Sequence, residues 1–207
     1  MKIRWCSLTD KGAVREINED SLLCAAEVIS MQDHFLSSEN CGDVSAETVW
    51  CFSVADGMGG HEAGEVASRM VLERLSEEIQ KHGRSFLSEP DALKRTITGF
   101  NREVNDRAAA MGKRGMGTTL SGMIFNSEKF LLFNAGDSRV YRSRGAYLEQ
   151  KTVDHSLRQQ TGGNAPKNLI TSSVGGGSDH ITVDICDLTG KVRPGDMYLV
   201  CSDGLTD

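Results

Sequence analysis

The sequence predicts an α+β fold, an antiparallel sandwich of sheets and helices formed by a single domain over residues 1–207. Short runs of apolar, β-branched and aromatic residues are typical of strands buried on both faces. Two adjacent stretches with apolar residues three to five positions apart are typical of helices. Because strands are followed by two helices and then by more strands, the order differs from the regular alternation of a parallel α/β sheet.

The predicted strands lie on both sides of the helical region. They cover residues 3–8, 21–26, 49–55, 119–125, 130–135, 139–142, 146–149, 181–188 and 197–202. The first helix carries Val66, Met70, Leu75 and Ile79 on one face and is predicted to end before Gly83.

The second helix is predicted to begin at a serine cap, Ser88, with Pro90 in its first turn, and to end near residue 109. Residues 161–178 are rich in Gly, Asn and Ser. They have no helical or strand periodicity, so we expect a mobile surface connection there.

Composition restricts the class of protein. The net charge of -6 argues against a nucleic-acid partner, because binding to the phosphate backbone depends on clustered Lys and Arg. No apolar stretch reaches the length needed to span a bilayer, and the amino terminus lacks the apolar segment of a secretory signal. We therefore expect a cytoplasmic protein that makes no membrane contact, and a monomer.

The six cysteines show no Cys-x-x-Cys pair, and four of them lie inside apolar runs. This usage is typical of small buried side chains in a reducing compartment. The sequence therefore predicts neither a disulfide nor a zinc site.

Three apolar runs end in an aspartate beside a glycine, at Asp56-Gly57, Gly136-Asp137 and Asp203-Gly204. A carboxylate at a strand end, next to a residue that lets the backbone turn and approach closely, can hold a hard divalent cation. One such pair is typical of an ordinary turn. Three of them predict several carboxylates gathered at one place.

The glycine-rich loop at residues 56–64 has two chemical interpretations. Its glycines resemble a dinucleotide-binding loop, in which backbone N–H groups receive a pyrophosphate. Asp56 would repel that group, and Glu62 stands where the third glycine is expected. A cation ligand at Asp56, with the Gly57 carbonyl free to coordinate, makes better use of the loop, and a plain turn is the remaining alternative.

A further segment with candidate site residues lies near the amino terminus, where Arg15 comes shortly before the acid pair Glu19 and Asp20. The planar guanidinium of arginine suits a bidentate grip on phosphate, and acids near a metal can bind its water ligands. Taken alone, the segment is typical of a solvated run of charges.

Six motifs together, in this order, resemble the metal-dependent protein phosphatases of type 2C, of the bacterial kind, over essentially the whole chain. They are Arg15-x-x-Asn18-Glu19-Asp20, Val54-Ala55-Asp56-Gly57-Met58-Gly59-Gly60-His61, Gly117-Thr118-Thr119, Asn134-Ala135-Gly136-Asp137-Ser138-Arg139, Asp154-His155-Ser156 and Cys201-Ser202-Asp203-Gly204-Leu205.

The resemblance implies a four-layer αββα sandwich with two central antiparallel sheets. It also implies a site for two Mg2+ or Mn2+ ions at one end of the sheets, with a third ion in bacterial members. The implied activity is hydrolysis of phosphoserine and phosphothreonine in proteins by a water that the ions activate. Phosphorylated proteins are then the expected partners, together with a Ser/Thr kinase or its targets.

Four residues are implied metal ligands. By position, Asp56 resembles the carboxylate that bridges both ions, and the carbonyl of Gly57 resembles a ligand of the first. Asp203 resembles a ligand of the second ion. Asp137, together with Asp203, resembles the pair that holds the third.

The other implied roles concern water and phosphate. Glu19 and Asp20 resemble the acids that hold metal-bound waters, and Arg15 resembles the phosphate-binding arginine. Some members carry a histidine where this chain has Met58, so a water is the expected acid for the leaving group. We expect structural roles for His61 and for His155.

Two departures from the family pattern qualify these expectations. The sequence stops at Asp207, whereas family members continue through a helix and final strands that carry an Asp-Asn motif with a further metal ligand. The C-terminal part expected for the fold is therefore missing. Residues 157–177 are shorter than the substrate-contacting flap of many members.

The missing ligand motivates an alternative function, a non-catalytic pseudophosphatase or interaction domain with an incomplete metal site. A dinucleotide-binding enzyme is a weaker third hypothesis, based on the loop after Asp56.

Overall fold

The computed structural model describes residues 2–30, 41–60, 62–166 and 169–206. The strands are β1 (Lys2–Cys6), β2 (Asp20–Ala25), β3 (Glu27–Ser30), β4 (Cys41–Ser45), β5 (Trp50–Met58), β6 (Gly117–Thr118), β7 (Leu120–Phe125), β8 (Phe130–Ala135), β9 (Arg139–Arg144), β10 (Tyr147–Gln150), β11 (Val174–Gly175), β12 (Asp184–Asp187) and β13 (Met197–Cys201). The helices are α1 (Glu62–Ser88), α2 (Pro90–Met111) and the single turn α3 (Leu157–Gln160).

The largest sheet has the strand order β11-β6-β5-β7-β8-β12, and β2 and β3 extend it alongside β5. Every pair in it is antiparallel. Strand β5 lies near the centre of this sheet, between β6 and β7. Its side chains are therefore buried along almost the whole strand. The predicted α+β class with antiparallel sheets is confirmed.

Two smaller sheets accompany the large one. One has the order β10-β9-β13, and β1 pairs with β4 in the other. Helices α1 and α2 pack on one face of the large sheet through buried side chains such as Leu72 and Leu93. The opposite face packs on the smaller sheets through Phe52, Val140 and Tyr198. The large sheet and the smaller sheets thus lie face to face, with a helical layer outside the large sheet, as in the predicted sandwich.

The helix boundaries differ from the prediction. Helix α1 continues through Gly83 to Ser88, and the cap of α2 is Glu89, which makes no side-chain capping bond. A Cβ on Gly83 would lie 3.1 Å from Val49 and 3.2 Å from Ile79, so this glycine permits close packing and does not end the helix. In the described part of the chain, no helix combines the length and the apolar character needed to cross a membrane.

Each predicted strand has a counterpart, but four strands were not predicted: β3, β4, β6 and β11. Strands β6 and β11 have two residues each, which is too short for an alternating pattern. Strand β4 contains Gly42 and Asp43, two residue types that are uncommon in strands.

The prediction of a mobile surface connection over residues 161–178 is wrong for its second half. Val174 and Gly175 are buried in β11 and pair with β6. The N–H of Gly175 donates to Oδ1 of Asn101 at 2.7 Å, and the N–H of Gly177 donates to Oδ1 of Asn105 at 3.0 Å. Side chains of α2 therefore fix the glycine run, a contact that local composition does not reveal.

The prediction for the cysteines is also wrong for one pair. Strands β1 and β4 place Cys6 opposite Cys41, and the two form a disulfide across 35 positions of sequence. This pairing depends on the register of two distant strands, which spacing alone does not give. The remaining cysteines are free thiols: Cys24, Cys51, Cys186 and Cys201.

Candidate active site

Two carboxylates face each other at the end of the central strand pair. Asp20 begins β2 and lies directly opposite Asp56 near the end of β5. The two carboxyls are close enough for the charge of Asp20 to add to the effect of burial in raising the pKa of Asp56. Antiparallel pairing thus brings together acids that are 36 positions apart.

Two further carboxylates reach the same place from other segments. Asp137 is buried in the turn between β8 and β9, and Asp203 begins a short 3-10 turn after β13. Burial raises the pKa of Asp56 to about 9, and repulsion from Asp20, Asp203 and Asp137 adds to the effect. Four acids from separate segments therefore share one electrostatic environment.

Asp137 and Asp20 also have raised pKa values. Burial raises the pKa of Asp137 to about 6, with a contribution from the charge of Asp203. Burial also raises the pKa of Asp20, although Oγ of Ser202 donates to its Oδ2 at 2.7 Å and opposes the rise. The exposed Arg15 lies close enough for its charge to lower the pKa of Asp20 in part.

The backbone around Gly57 is closely packed. The N–H of Gly57 donates to the carbonyl of Glu19 at 3.2 Å, and the hydroxyl of Ser68 donates to the same carbonyl at 2.7 Å. A Cβ on Gly57 would collide with the carbonyl of Gly64 at the start of α1. Glycine is required at this position because two backbone segments and the Glu19 loop meet there.

Gly64 keeps the same region open for the Glu19 side chain. A Cβ on Gly64 would lie 2.5 Å from Oε1 of Glu19 and 2.8 Å from the carbonyl carbon of Gly57. The glycines before and inside α1 therefore let the acidic segment at 19–20 lie against the Asp56 loop. His61 lies outside the described residues.

His155 has a structural position under the Asp137 turn. Its Nδ1 accepts a hydrogen bond from the N–H of Gly136 at 3.2 Å, and its Nε2 lies 2.9 Å from Oδ2 of Asp184. Because Nδ1 is an acceptor, Nε2 carries the proton and donates it to Asp184. These bonds support the turn that presents Asp137, in agreement with the structural role expected for this histidine.

A cavity of about 200 Å³ opens beside the carboxylates. It is lined by Asp137, Arg139, Asp154, Ser156, Arg158, Asp203 and Thr206. The guanidinium of Arg139 donates to both carboxylate oxygens of Asp154, with the shortest distance 2.6 Å. This pair supports the wall of the cavity. Both residues lie in the motifs quoted above, but residue type alone assigned a role to neither.

All seven predicted site residues lie in this region. The four aspartates interact, Arg15 acts on Asp20, and Glu19 contacts the Gly57 loop. Ser202 was not assigned a role, and its position directly before Asp203 is the signal that was available. Sequence alone does not show that its hydroxyl turns toward Asp20.

The donor chemistry fits a hard divalent cation. Carboxylate and carbonyl oxygens are the ligands that Mg2+ and Mn2+ prefer, and clustered acids with raised pKa values are stabilised by added positive charge. Over the described ranges, no group of three or more His, Cys, Asp or Glu side chains is arranged so that it could hold a metal ion. The carboxylates therefore meet without complete coordination geometry.

Comparisons with known proteins agree with this fold. Residues 27–207 match the family model of Protein phosphatase 2C. The serine/threonine phosphatase Stp of Listeria monocytogenes is 31% identical over 214 residues, which cover 96% of this chain and 76% of that protein. The serine/threonine protein phosphatase PstP of Mycobacterium tuberculosis is 30% identical over 99% of this chain, which spans 37% of the length of PstP.

Solved structures give the same result. The serine/threonine phosphatase of S. agalactiae has a TM-score of 0.80 and 27% identity, covering 100% of this chain and 81% of that one. The catalytic domain of PstP in complex with two manganese ions has a TM-score of 0.64 and 30% identity, covering 100% of this chain and 78% of that one. This chain belongs to the protein phosphatase 2C family.

Proposed function

We propose that residues 1–207 form a single catalytic domain that hydrolyses phosphoserine and phosphothreonine in proteins with the help of Mn2+ or Mg2+. The observation that carries the proposal is the meeting of Asp20, Asp56, Asp137 and Asp203 in one partly buried cluster. Such a cluster is unfavourable without cations, because burial and mutual repulsion both oppose its ionised state. The family of the chain and the two manganese ions of the PstP structure support the same function.

The proposed metal ligands are Asp56, the carbonyl of Gly57, Asp203 and Asp137. Asp56 has the central role because the charges of Asp20, Asp203 and Asp137 all act on it. Its backbone is fixed in β5, so the start of its side chain has a defined position before an ion binds. Gly57 is required for the close approach of the loop and leaves its own carbonyl uncrowded by a side chain.

When bound, the divalent ions supply an activated water as the nucleophile and neutralise charge on the phosphoryl oxygens. We propose that Glu19 and Asp20 orient water in the site. Oγ of Ser202 donates to Oδ2 of Asp20 at 2.7 Å and so holds this carboxylate by one oxygen. Arg15 is exposed beside Asp20, where its guanidinium can bind the substrate phosphate.

For hydrolysis, the phosphorylated substrate must also be able to reach the carboxylates. The cavity of about 200 Å³ is lined in part by Asp137 and Asp203. We propose that the phosphorylated side chain of the substrate enters the site through this cavity. The cavity also contains Arg158, which adds positive charge near the path of an anionic substrate.

The test is hydrolysis of a phosphothreonine peptide with Mn2+, measured as phosphate release. We expect activity in the unmodified chain and its loss after chelation or after Asp56→Asn. Asp106→Asn is the matched control, since Asp106 is an exposed acid on α2 that pairs with Arg102. Equal turnover by the Asp56→Asn and Asp106→Asn variants would reject the proposal.

We further propose phosphorylated proteins as substrates, including a Ser/Thr kinase or its targets, and a monomeric cytoplasmic protein. The phosphatase relatives support the substrate class. Light scattering of the purified chain tests the monomer, and a dimer mass would reject it.

A further inference from the structure

Two buried hydroxyls connect the strand that carries Asp56 to the turn that carries Asp137. Oγ1 of Thr119 accepts a hydrogen bond from the N–H of Asp56 at 3.0 Å and lies 2.7 Å from Oγ of Ser138. Ser138 directly follows Asp137, and both hydroxyl residues are 1% exposed. A path of hydrogen bonds therefore runs from Asp56 to Ser138, the residue that directly follows Asp137.

The carbonyl of Asp56 is held as firmly as its N–H. The N–H of Thr119 and the hydroxyl of Thr118 both donate to this carbonyl, each at 2.9 Å. The residue pair at 118–119 thus fixes the peptide groups on both sides of the Asp56 side chain. The backbone from which the Asp56 carboxylate extends is therefore fixed.

The Asp137 turn also rests on Thr119. Gly136 has φ of 128°, and a Cβ there would lie 2.6 Å from Cβ of Thr119. The turn therefore approaches Thr119 as closely as a glycine allows. The hydroxyl of Thr119 contacts Ser138, and its Cβ and methyl group lie next to Gly136.

We propose that the Thr119–Ser138 hydroxyl pair is a positioning element that sets the separation of Asp56 and Asp137, and through it the affinity of the site for divalent ions. This inference rests on the proposed function. The pair touches no reacting atom, so it acts through the two carboxylates. Partners behind metal ligands commonly change metal affinity by about 10- to 100-fold when they are removed.

The decisive variant is Thr119→Val, which keeps the shape of the side chain and removes its hydroxyl. Thr189→Val is the matched control, because Oγ1 of Thr189 accepts from the N–H of Phe130 at 3.1 Å, at the opposite end of β8 from Asp137. Both variants lose one hydroxyl that accepts from a backbone N–H. A difference between them therefore reports on the carboxylates.

Binding of Mn2+ by calorimetry is the measurement, with thermal unfolding recorded in parallel. We expect Thr119→Val to bind Mn2+ about tenfold more weakly, Thr119→Ser to recover binding, and Thr189→Val to match the unmodified chain. Ser138→Ala should show a weaker effect in the same direction, and it serves as the second variant if Thr119→Val does not fold.

Unchanged Mn2+ binding in both Thr119→Val and Ser138→Ala would overturn the positioning role, as would an equal loss in Thr189→Val. Failure of the proposed function is distinguishable, because the unmodified chain itself would then release no phosphate while the affinity comparison among the variants would still be measurable. An unmodified chain that binds no Mn2+ would overturn both.

Discussion

Oγ of Ser202 donates to Oδ2 of Asp20 at 2.7 Å, although the two residues are 182 positions apart. Asp20 begins a strand of the large sheet, and Ser202 follows the last strand of the β10-β9-β13 sheet. This bond joins the two sheets at the edge where the four aspartates meet. The position of Asp20 therefore depends on how the sheets pack together.

Replacing Ser202 by alanine should weaken metal binding. The hydroxyl stabilises the ionised form of Asp20, so its loss should raise the pKa of Asp20 further and leave its carboxylate less ordered. We expect about a tenfold loss in Mn2+ affinity, the low end for partners behind a metal site. Calorimetry would measure it, with Ser143→Ala on the far end of the same sheet as the control, and equal affinities in the two variants would contradict it.

The Asp56→Asn variant should be more stable than the unmodified chain when metal is absent. The amide is neutral without a proton, whereas burial and the charges of Asp20 and Asp203 make the Asp56 carboxylate take up a proton when the chain folds at neutral pH. A gain of about 0.5–2 kcal/mol is expected, the usual range when a strained functional site is relieved. Thermal unfolding with a chelator present would check it, and a lower stability than that of the unmodified chain would count against the cluster.

The stability of the metal-free chain should fall as the pH rises. The pKa of Asp137 is raised to about 6 and that of Asp56 to about 9, from an ordinary value of 3.8. An acid with a raised folded-state pKa binds its proton more tightly when folded. Its stabilising contribution is therefore complete below pH 3.8 and is lost as the pH rises through the folded-state pKa.

Thermal unfolding between pH 5 and pH 9 tests this dependence. The slope should be shallower in an Asp56→Asn, Asp137→Asn double variant, and added Mn2+ should reduce it in the unmodified chain. A double variant with the same slope as the unmodified chain would show that other groups cause the pH dependence.

Gly64→Ala should damage the site, because the new Cβ would lie 2.5 Å from Oε1 of Glu19 and 2.8 Å from the backbone of Gly57. Overpacking of this kind costs about 1–3 kcal/mol, and here it also displaces the Asp56 loop. Gly99→Ala is the matched control, since it lies in α2 with no atom within 4 Å of its new Cβ.

The control should gain up to about 1 kcal/mol from the higher helix propensity of alanine. Phosphate release and chemical unfolding would be measured for both variants. Normal activity in Gly64→Ala would show that the Glu19 segment tolerates displacement.

Peptide mapping without reductant should recover Cys6 joined to Cys41. Reduction should lower the free energy of unfolding by about 2–4 kcal/mol, because the bond closes a loop of 35 positions in the unfolded chain. Cys186→Ser is the control, since Cys186 is a free thiol. Recovery of Cys6 as a free thiol from oxidised protein would contradict the pairing.

Local pattern determined much of the fold. Strand β8 was predicted with its observed bounds because apolar residues fill every position from Phe130 to Phe133. Helix α2 was predicted within two residues of its end because its apolar residues recur at the helical period. Local chemistry also identified the carboxylates, since an aspartate beside a glycine at a strand end is visible in sequence.

Long-range packing decided what the local pattern left open. Gly83 is read locally as a helix end, but helix α1 passes through it because a glycine fits against Val49. The glycine run at 175–177 is composed like a free loop, but two asparagines of α2 bind its backbone. In both cases a distant partner overrides local propensity.

The sequence by itself indicated the candidate site residues and the order of the main elements, because both follow from residue type and period. Only the tertiary structure decided that Asp20 faces Asp56, that Ser202 turns toward Asp20 and that Cys6 meets Cys41. Those relationships depend on strand register and sheet packing, which many contacts fix together and no single segment encodes.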